Sequence, residues 1–289
     1  MPNTAILGEG YAYTECPRWH NGRLWFVDMH LNQVIAIDPT DGKREVVTEV
    51  PGRTGGIGWL PDGRLLVVQQ DARKIFRLEN SGLVLHADLS AEVPSMLNDM
   101  WVDSNGHAWV GEMGFDPHEF LARPEVVAAL TAETVEGPLQ APATSRVFVV
   151  KPDGSWRVAA SDFVFTNGVV IDEKRRKLIV AETIGARLSI FDIVDGETLQ
   201  NRRVWSLGFA PDGIALDAGG GVWVADPMHM CARHIVEGTE IARVSTEQLC
   251  LACAVGGPKG DTLYLCTSPT TEVEQGLALL GSRIEARSI

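Results

Sequence analysis

The stretch FAPDGIALDAGGGVWVADP, residues 209–227, places an aspartate, Asp212, directly before a short apolar run. Pro-Asp-Gly is by itself a turn signal, because proline fixes φ, aspartate bonds its own backbone and glycine accepts a positive φ. The apolar run IAL is followed by an Ala-Gly-Gly turn and by a second apolar run, GVWVAD. The stretch therefore predicts a β-hairpin headed by Asp212, and the remaining sequence decides whether Asp212 is more than a turn residue.

The same frame, a head residue followed by an apolar strand, a turn and a second apolar strand, occurs six times. The six head residues are Glu15, Gly56, Asn98, Asn167, Asp212 and Cys253. Repeats of about 40 to 45 residues, each with three or four antiparallel strands, are typical of propeller blades. The sequence predicts an all-β protein, a six-bladed β-propeller, formed as one domain by residues 1–289. We expect the segment 3–13 to supply the outer strand of the last blade.

Composition limits the function. The chain has 289 residues, a formal net charge of −13 and 45% hydrophobic residues, which allows a large core. The acidic balance argues against nucleic acid as a partner, since phosphates need a basic surface. No apolar run approaches the ~18 residues that span a membrane, and the first residues lack the pattern of a signal peptide. We therefore expect a cytoplasmic protein with a small-molecule partner and no membrane partner; the oligomeric state stays open.

The five cysteines also fit a reducing compartment. Cys250 and Cys253 have the spacing of half a zinc site, but no second pair of Cys or His accompanies them. We interpret them as buried strand residues.

Oxygen-bearing side chains occupy four of the six head positions. In a propeller the innermost strands run along a central channel, so their heads form a ring. The four polar heads are Glu15, Asn98, Asn167 and Asp212. Buried carboxylates without a partner are costly, and a set of carboxylate and amide oxygens is what hard cations such as Ca²⁺ or Mg²⁺ take. The pattern predicts one central divalent metal site.

Four motifs, in the same order along nearly the whole chain, give the sequence a family resemblance. They are Glu15-Cys-Pro-Arg-Trp, Leu97-Asn98-Asp99, Thr166-Asn167-Gly168 and Pro211-Asp212-Gly213. The sequence resembles the senescence marker protein (regucalcin), gluconolactonase and luciferin-regenerating-enzyme family. The resemblance implies a hydrolase, mostly of lactones, although some relatives cleave phosphoesters or phosphofluoridates. It also implies one divalent metal held by Glu15, Asn167 and Asp212, with Asn98 contacting substrate and water; we expect Ca²⁺, with Zn²⁺, Mg²⁺ and Mn²⁺ as alternatives.

The expected reaction is the opening of a lactone, or of a related cyclic or activated ester. A cation polarises the ester carbonyl and lowers the pKa of water. Asp212 is the first candidate for the base that takes the proton from water, and Asp99 is the second. The candidate catalytic residues are thus Asp212, Asn98 and Asp99. No Gly-x-Ser-x-Gly nucleophile elbow is present in the sequence.

The sequence departs from the sugar-lactone members of the family near Asn98. Met96 stands where those members commonly have an arginine, and Met100 stands where glycine is usual. Flexible methionines are common pocket linings. We therefore expect a substrate less polar than a sugar lactone. The candidate substrate-binding residues are Asn98, Met96, Met113, Asp116, Met29, Met228 and His229.

One interval, between the third and fourth modules, is longer than the others. The extra residues lie at about 114–145, and the stretch ARPEVVAALTAETVEG, residues 122–137, predicts a short helix that begins at Pro124. We expect this insertion to cover the metal end of the channel, with Phe115 and Phe120 facing the substrate.

Two other functions remain open at this point. A propeller that binds partners without catalysis is disfavoured, because such proteins usually keep apolar or neutral channel heads. A calcium-binding regulatory protein would keep the same metal site and need no substrate. A screen of lactones and activated esters, with and without metal, separates these from a hydrolase.

Overall fold

The computed structural model describes residues 5–135 and 138–289. The predicted outer strand at 3–13 therefore has its first two residues outside the described part, and the stretch 122–137 has its last two outside it. The chain divides into two compact units, one of Gly56–Asp212 and one of Gly213–Ile289 together with the chain up to Gly55. The assignment of residues 1–289 to one domain stays a prediction.

Each sheet is built from strands that follow one another in the chain, apart from the first strand, β1 (Ala5–Tyr11). The first sheet contains β2 (Thr14–His20), β3 (Arg23–Asp28), β4 (Gln33–Ile37) and β5 (Arg44–Glu49). The second contains β6 (Thr54–Trp59), β7 (Leu65–Gln69), β8 (Lys74–Glu79) and β9 (Gly82–Asp88). The third contains β10 (Leu97–Val102), β11 (Ala108–Glu112), β12 (Ser145–Val150) and β13 (Trp156–Phe163).

The remaining sheets follow the same plan. The fourth contains β14 (Thr166–Asp172), β15 (Lys177–Glu182), β16 (Arg187–Val194) and β17 (Thr198–Ser206). The fifth contains β18 (Ile214–Leu216), β19 (Val222–Asp226), β20 (Cys231–Val236) and β21 (Thr239–Ser245). The sixth contains β22 (Leu249–Gly256), β23 (Thr262–Ser268), β24 (Ser282–Ser288) and β1, which pairs antiparallel with β24.

Within residues 5–135 and 138–289, six consecutive four-stranded sheets are present, and the last is completed by the first strand of the chain. The fold is a six-bladed β-propeller, as the six repeated frames predict. The N-terminal strand takes the outer position in the last blade, which confirms that prediction.

Burial explains why the second apolar run of each frame is so regular. The second strands β7, β11 and β19 are buried along their whole length. The outer strands β17 and β21 are largely exposed. A strand buried on both faces needs a nearly continuous apolar run, whereas an outer strand tolerates polar residues. The second strand of a blade therefore needs an apolar run, and this run recurs in each repeat.

The insertion contains two short helices, α1 (Pro117–Leu121) and α2 (Pro124–Leu130). Pro124 begins α2, as predicted, because proline lacks an N–H that the first turn does not use. A third helix, α3 (Val273–Leu279), lies between β23 and β24. Among the residues described, none of the helices has the length and apolar character needed to cross a membrane. All five cysteines are buried, and burial raises the pKa values of Cys250, Cys253 and Cys266.

Candidate functional site

Three of the predicted heads occupy the same position in their strands. Glu15, Asn98 and Asn167 are each the second residue of the first strand of a blade. Asp212 stands two residues before the short strand β18. The head Cys253 differs, because β22 already begins at Leu249 and Cys253 lies in its interior. Glu15, Asn98 and Asn167 thus share a register that Asp212 and the apolar head Cys253 do not.

A β-bulge accompanies each of these three heads. The strand register shifts between Glu15 and Arg18 in β2, between Leu97 and Met100 in β10, and between Thr166 and Val169 in β14. A bulge breaks the strict alternation of a strand and re-aims its side chains, and bulges are common beside active sites. The local backbone therefore allows neighbouring residues such as Asn98 and Asp99 both to be buried.

Both ends of the Asn98 side-chain amide are bonded within the unit Gly56–Asp212. Its Oδ1 accepts a hydrogen bond from Nε2 of Gln70 at 3.2 Å, and its Nδ2 donates to the carbonyl oxygen of Thr166 at 3.1 Å. A carbonyl can only accept, so these partners fix which way the amide faces. Asn98 is buried and rigidly oriented, which suits a residue that positions substrate or water.

Asp99 ties the same two strands together. One of its carboxylate oxygens accepts the backbone N–H of Met100 at 2.8 Å, and the other accepts that of Val169 at 3.3 Å. Its carboxylate is buried. The two backbone bonds give Asp99 a structural task and bring its negative charge to the strand that carries Asn167.

The hydroxyl of Thr183 links the side chain of Asn167 to the backbone of Pro211, the residue before Asp212. Nδ2 of Asn167 donates to Oγ1 of Thr183 at 3.1 Å, and that hydroxyl donates to the carbonyl oxygen of Pro211 at 2.8 Å. The backbone N–H of Gly168 also donates to the carbonyl oxygen of Asp212 at 3.3 Å. The segments that carry Asn167 and Asp212 are therefore held side by side.

Asp212 has a perturbed acidity. Burial raises the pKa of its carboxyl to about 7, the negative charge of Asp99 raises it as well, and a hydrogen bond from Asn167 opposes the rise. The side chain keeps part of its surface accessible, although it is deeply surrounded by protein. Desolvation and a like charge both disfavour the ionised form. A carboxyl with such a pKa is a candidate for a functional group.

The donor set within this unit fits a hard divalent cation. Asp212 and Asn167 offer carboxylate and amide oxygens, and a bound cation would stabilise the ionised Asp212 carboxylate, which burial and the charge of Asp99 disfavour. No group of three or more His, Cys, Asp and Glu side chains is placed to hold a metal in the part of the chain that the structure describes. The candidate set draws on asparagine instead.

Glu15 lies in the unit that contains Gly213–Ile289, and it is buried there. One of its carboxylate oxygens accepts the backbone N–H of Cys16 at 2.9 Å. Its negative charge contributes to the raised pKa values of Cys253 and Cys266. The side chain therefore belongs to the interior of that unit.

A cavity of about 440 Å³ brings two of the predicted substrate contacts together. Met96 and Asp116 line it, and the other lining residues are Asp71, Pro94, Ser95, Gly114 and Phe115. Met113 is buried in the adjoining apolar cluster. Phe120 packs edge-on against Phe115, with ring centroids 5.2 Å apart, and is buried. Phe115 thus lines the cavity and Phe120 packs against it, and the prediction that both rings face the substrate stays a prediction.

The other predicted substrate contacts belong to the unit with Gly213–Ile289. Met29 is buried, and its backbone N–H donates to the carbonyl oxygen of Tyr13 at 2.8 Å. Met228 is exposed. Nδ1 of His229 lies 2.9 Å from a carboxylate oxygen of Asp226, which also pairs with a guanidinium, that of Arg233. His229 is therefore oriented by a buried acid.

The insertion packs beside the candidate site residues of its own unit. The N–H of Val135 donates to the carbonyl of Gly208 at 2.8 Å, and that of Leu139 donates to the carbonyl of Ile184 at 3.0 Å. Ile184 follows Thr183, and Gly208 lies four residues before Asp212. Buried side chains of α2 join a cluster that includes Phe165, two residues before Asn167. These contacts hold the insertion beside the segments that carry Asn167 and Asp212, and its covering of the metal end of the channel stays a prediction.

Several residues that hold the site were missed from the sequence. Gln70 and Thr183 directly follow the second strands β7 and β15. A second missed group is the buried acid that ends the second strand in four blades, namely Asp28, Glu112, Glu182 and Asp226. Asp28 and Glu182 accept backbone N–H groups directly before the strands of Glu15 and Asn167. Aligning the six frames as far as the end of the second strand reveals the acidic group, because an acid recurs at that position in four blades.

Comparison with known proteins identifies the family of the chain and proteins of similar fold. The sequence matches the SMP-30/Gluconolactonase/LRE-like region over residues 13–269. It is 26% identical to pentonolactonase XacC of Haloferax volcanii, with 93% of this chain and 86% of that protein covered. The fold resembles that of a luciferin-regenerating enzyme, with a TM-score of 0.79, 19% identity and coverage of 100% of this chain and 96% of the other. It also resembles a calcium-binding protein, regucalcin, of Agrobacterium tumefaciens, with a TM-score of 0.76, 19% identity and the same coverage.

The family match spans most of the chain and includes all four motifs that carry the polar heads. Relatives of the lactonase type support a hydrolase. The chain belongs to the SMP-30/gluconolactonase/LRE-like family.

Proposed function

We propose that this protein is a metal-dependent hydrolase that opens a lactone, or a related cyclic or activated ester. The observation that carries the proposal is the placement of Asp212 beside Asn167 and Asp99, with a pKa raised to about 7. A carboxylate at this position can accept a proton from an attacking water. The family and the pentonolactonase relative support a lactone as the class of substrate.

The proposed cofactor is one divalent cation, with Ca²⁺ as the first choice and Zn²⁺, Mg²⁺ and Mn²⁺ as alternatives. Asn167 and Asp212 supply ligands from one unit, and Glu15 is assigned as a ligand by its match to the family motif. The calcium-binding regucalcin of similar fold supports the choice of Ca²⁺. When bound, the cation supplies positive charge that stabilises negative charge developing on the ester oxygen.

In the proposed reaction, water adds to the ester carbonyl carbon while Asp212 takes a proton from that water. The bond between the carbonyl carbon and the ring oxygen then breaks, and the proton passes from Asp212 to the leaving oxygen. The product is the open hydroxy acid. Asn98, fixed by Gln70 and Thr166, orients the substrate or the water. Asp99 adds negative charge beside Asp212, which raises the pKa of Asp212 in the metal-free protein.

The substrate is proposed to be less polar than a sugar lactone. The cavity that Met96 lines offers apolar surface from Met96, Phe115 and Pro94, and the exposed Asp116 can accept a hydrogen bond from one hydroxyl group. None of its seven lining residues is Lys or Arg, which are the usual partners of an anionic phosphoester. This lining favours the lactone reading over a phosphoester or phosphofluoridate hydrolase.

The test is a substrate screen with metal-stripped and metal-loaded protein. Aliphatic and aromatic lactones, sugar lactones, aryl esters and aryl phosphates are compared by proton release. Metal-dependent turnover of lactones, lost in Asp212→Asn, supports the proposal. Tight Ca²⁺ binding without turnover of any ester would instead favour a calcium-binding regulatory protein, and preferred cleavage of phosphates would overturn the substrate class.

A further inference from the structure

The hydroxyl of Thr183 decides which atom of Asn167 faces it. A hydroxyl has one hydrogen to donate, and that hydrogen goes to the carbonyl oxygen of Pro211 at 2.8 Å. The carbonyl can only accept, so the direction of this bond is fixed. The hydroxyl oxygen is then left as an acceptor, and the group 3.1 Å away must donate to it. Asn167 therefore turns its NH₂ group toward Thr183.

The orientation of the amide follows from this chain of bonds. With Nδ2 directed to Thr183, the atom that Asn167 presents on the opposite side is Oδ1. A cation requires the oxygen of an amide and is repelled by its NH₂ end.

Thr183 also holds the second ligand segment. Its hydroxyl bonds the carbonyl of Pro211, the residue before Asp212, and its own backbone N–H donates to the carbonyl of Phe165 at 3.0 Å. Phe165 lies two residues before Asn167. Thr183, which directly follows β15, thus bonds the segment before Asn167, the amide of Asn167 and the residue before Asp212.

We propose that Thr183 is a positioning residue of the metal site, which sets the amide orientation of Asn167 and the placement of Asp212 for cation binding. This inference rests on the proposed function, because it concerns the cation which that function requires. Thr183 itself acts through Asn167 and Pro211. Partners of this kind typically contribute 10- to 100-fold to metal affinity.

The experiment is calorimetric titration of the metal-stripped full-length protein with Ca²⁺ and with Mn²⁺. Thr183→Val keeps the side-chain shape and removes the hydroxyl, and we expect its Kd to rise about 10- to 100-fold. Thr183→Ser keeps the hydroxyl and should retain most of the affinity. Thr267→Val is the matched control, because Thr267 is a buried residue whose hydroxyl bonds Gln248 and Glu285 in the other unit. Its Kd should equal that of the wild type.

A double-mutant cycle separates positioning from general damage to the fold. If Thr183 acts through Asn167, then Thr183→Val should weaken metal binding far less in an Asn167→Ala background than in the wild type. An equal loss in both backgrounds would overturn the inference. Thr183→Ala replaces Thr183→Val in the cycle if the valine variant does not fold.

The failure of this inference and the failure of the proposed function have different signatures. Wild-type Kd in Thr183→Val, together with metal-dependent turnover in the wild type, overturns the role of Thr183 and leaves the hydrolase intact. A wild-type protein that binds no divalent cation overturns the proposed function, and the role of Thr183 falls with it.

Discussion

The side-chain amide of Asn98 donates a hydrogen bond to the carbonyl oxygen of Thr166 at 3.1 Å, which joins β10 to β14 one residue before Asn167. The other end of the amide accepts from Gln70 at 3.2 Å. The candidate substrate-orienting residue is thus also a bridge between blades. Its replacement should affect both turnover and stability, while the metal ligands keep their side chains.

Asn98→Ala should retain most of the metal affinity and lose turnover by about 10²-fold, because misplacing a reactant by about 1 Å costs that much. It should also lower the free energy of unfolding by about 1–3 kcal/mol, since buried hydrogen-bonding groups lose their partner. Turnover, calorimetry and urea unfolding measure the three effects. Asn105→Ala, at an exposed turn of the same blade, is the control. Unchanged turnover in Asn98→Ala would remove Asn98 from the site.

The stability of the metal-free protein should depend on pH through Asp212. The folded pKa of about 7 lies above the ordinary value of 3.8, so the folded state holds this proton more tightly than the unfolded state. The associated stabilisation is fully present below pH 3.8 and is lost as the pH rises through about 7. Asp212→Asn lacks this titration, so its metal-free stability should fall less between pH 5 and pH 8.

The measurement is urea unfolding in the presence of a chelator at both pH values. The difference between the two proteins reports the titration of Asp212 together with its interaction with Asp99, because the remaining titrating groups are the same. The same pH dependence in both proteins would show that Asp212 has an ordinary pKa. Added Ca²⁺ should raise the free energy of unfolding of the wild type most at pH 8. At that pH the Asp212 carboxyl of the metal-free protein is ionised, and the added cation balances its charge.

Met96→Arg should move the substrate preference toward sugar lactones. Met96 lines the cavity beside Phe115, and an arginine there adds hydrogen-bond donors for hydroxyl groups and reduces the apolar surface. The ratio of kcat/KM for gluconolactone to that for an aromatic lactone is the measure, and it should rise. Met96→Leu, which keeps an apolar side chain, should leave the ratio near that of the wild type. An unchanged ratio in Met96→Arg would mean that this cavity does not select the substrate.

Phe120→Ala should raise KM while leaving the metal affinity unchanged. Phe120 is buried and packs edge-on against Phe115, which lines the cavity, so its loss lets Phe115 move. The large-to-small change should also cost about 3–5 kcal/mol locally in the insertion. Val127→Ala, at an exposed position on α2, provides the comparison. Equal KM values in the two variants would argue that the insertion plays no part in substrate binding.

The repeat was readable from the sequence because each blade needs the same buried hairpin. Asp212, Asn167 and Asn98 are each followed by two apolar runs separated by a short turn. The fold requires this hairpin in every blade. The polar heads could be recognised for a related reason, since a polar side chain at the start of a buried strand needs a hydrogen-bond partner or a ligand. Cys253 shows the limit of this reasoning: an apolar head carries no such signal, and its strand begins earlier, at Leu249.

The hydrogen bonds that orient the side chains of the head residues could not be predicted from the sequence in the same way. The partners Gln70 and Thr183 lie 28 and 16 residues from Asn98 and Asn167, and their contacts depend on how the first and second strands meet. The bulges in β10 and β14 also leave no pattern in the sequence, because a bulge changes the register without changing residue type. The packing of Phe120 against Phe115 could not be predicted for a similar reason, since an aromatic residue near a site can line it or support a neighbour.

Turnover at saturating metal in Asp212→Asn, compared with Glu15→Gln, tests the central claim most directly. Both variants remove one negative charge, and both keep an amide oxygen that can touch a cation. Both should bind metal more weakly than the wild type. At saturating metal, Glu15→Gln should recover much of its turnover, whereas Asp212→Asn should stay lower by about 10²- to 10⁴-fold, because an amide cannot take the proton from water. Near-normal turnover in Asp212→Asn would contradict the assignment of Asp212 as the base, and normal metal affinity in both variants would contradict the metal site itself.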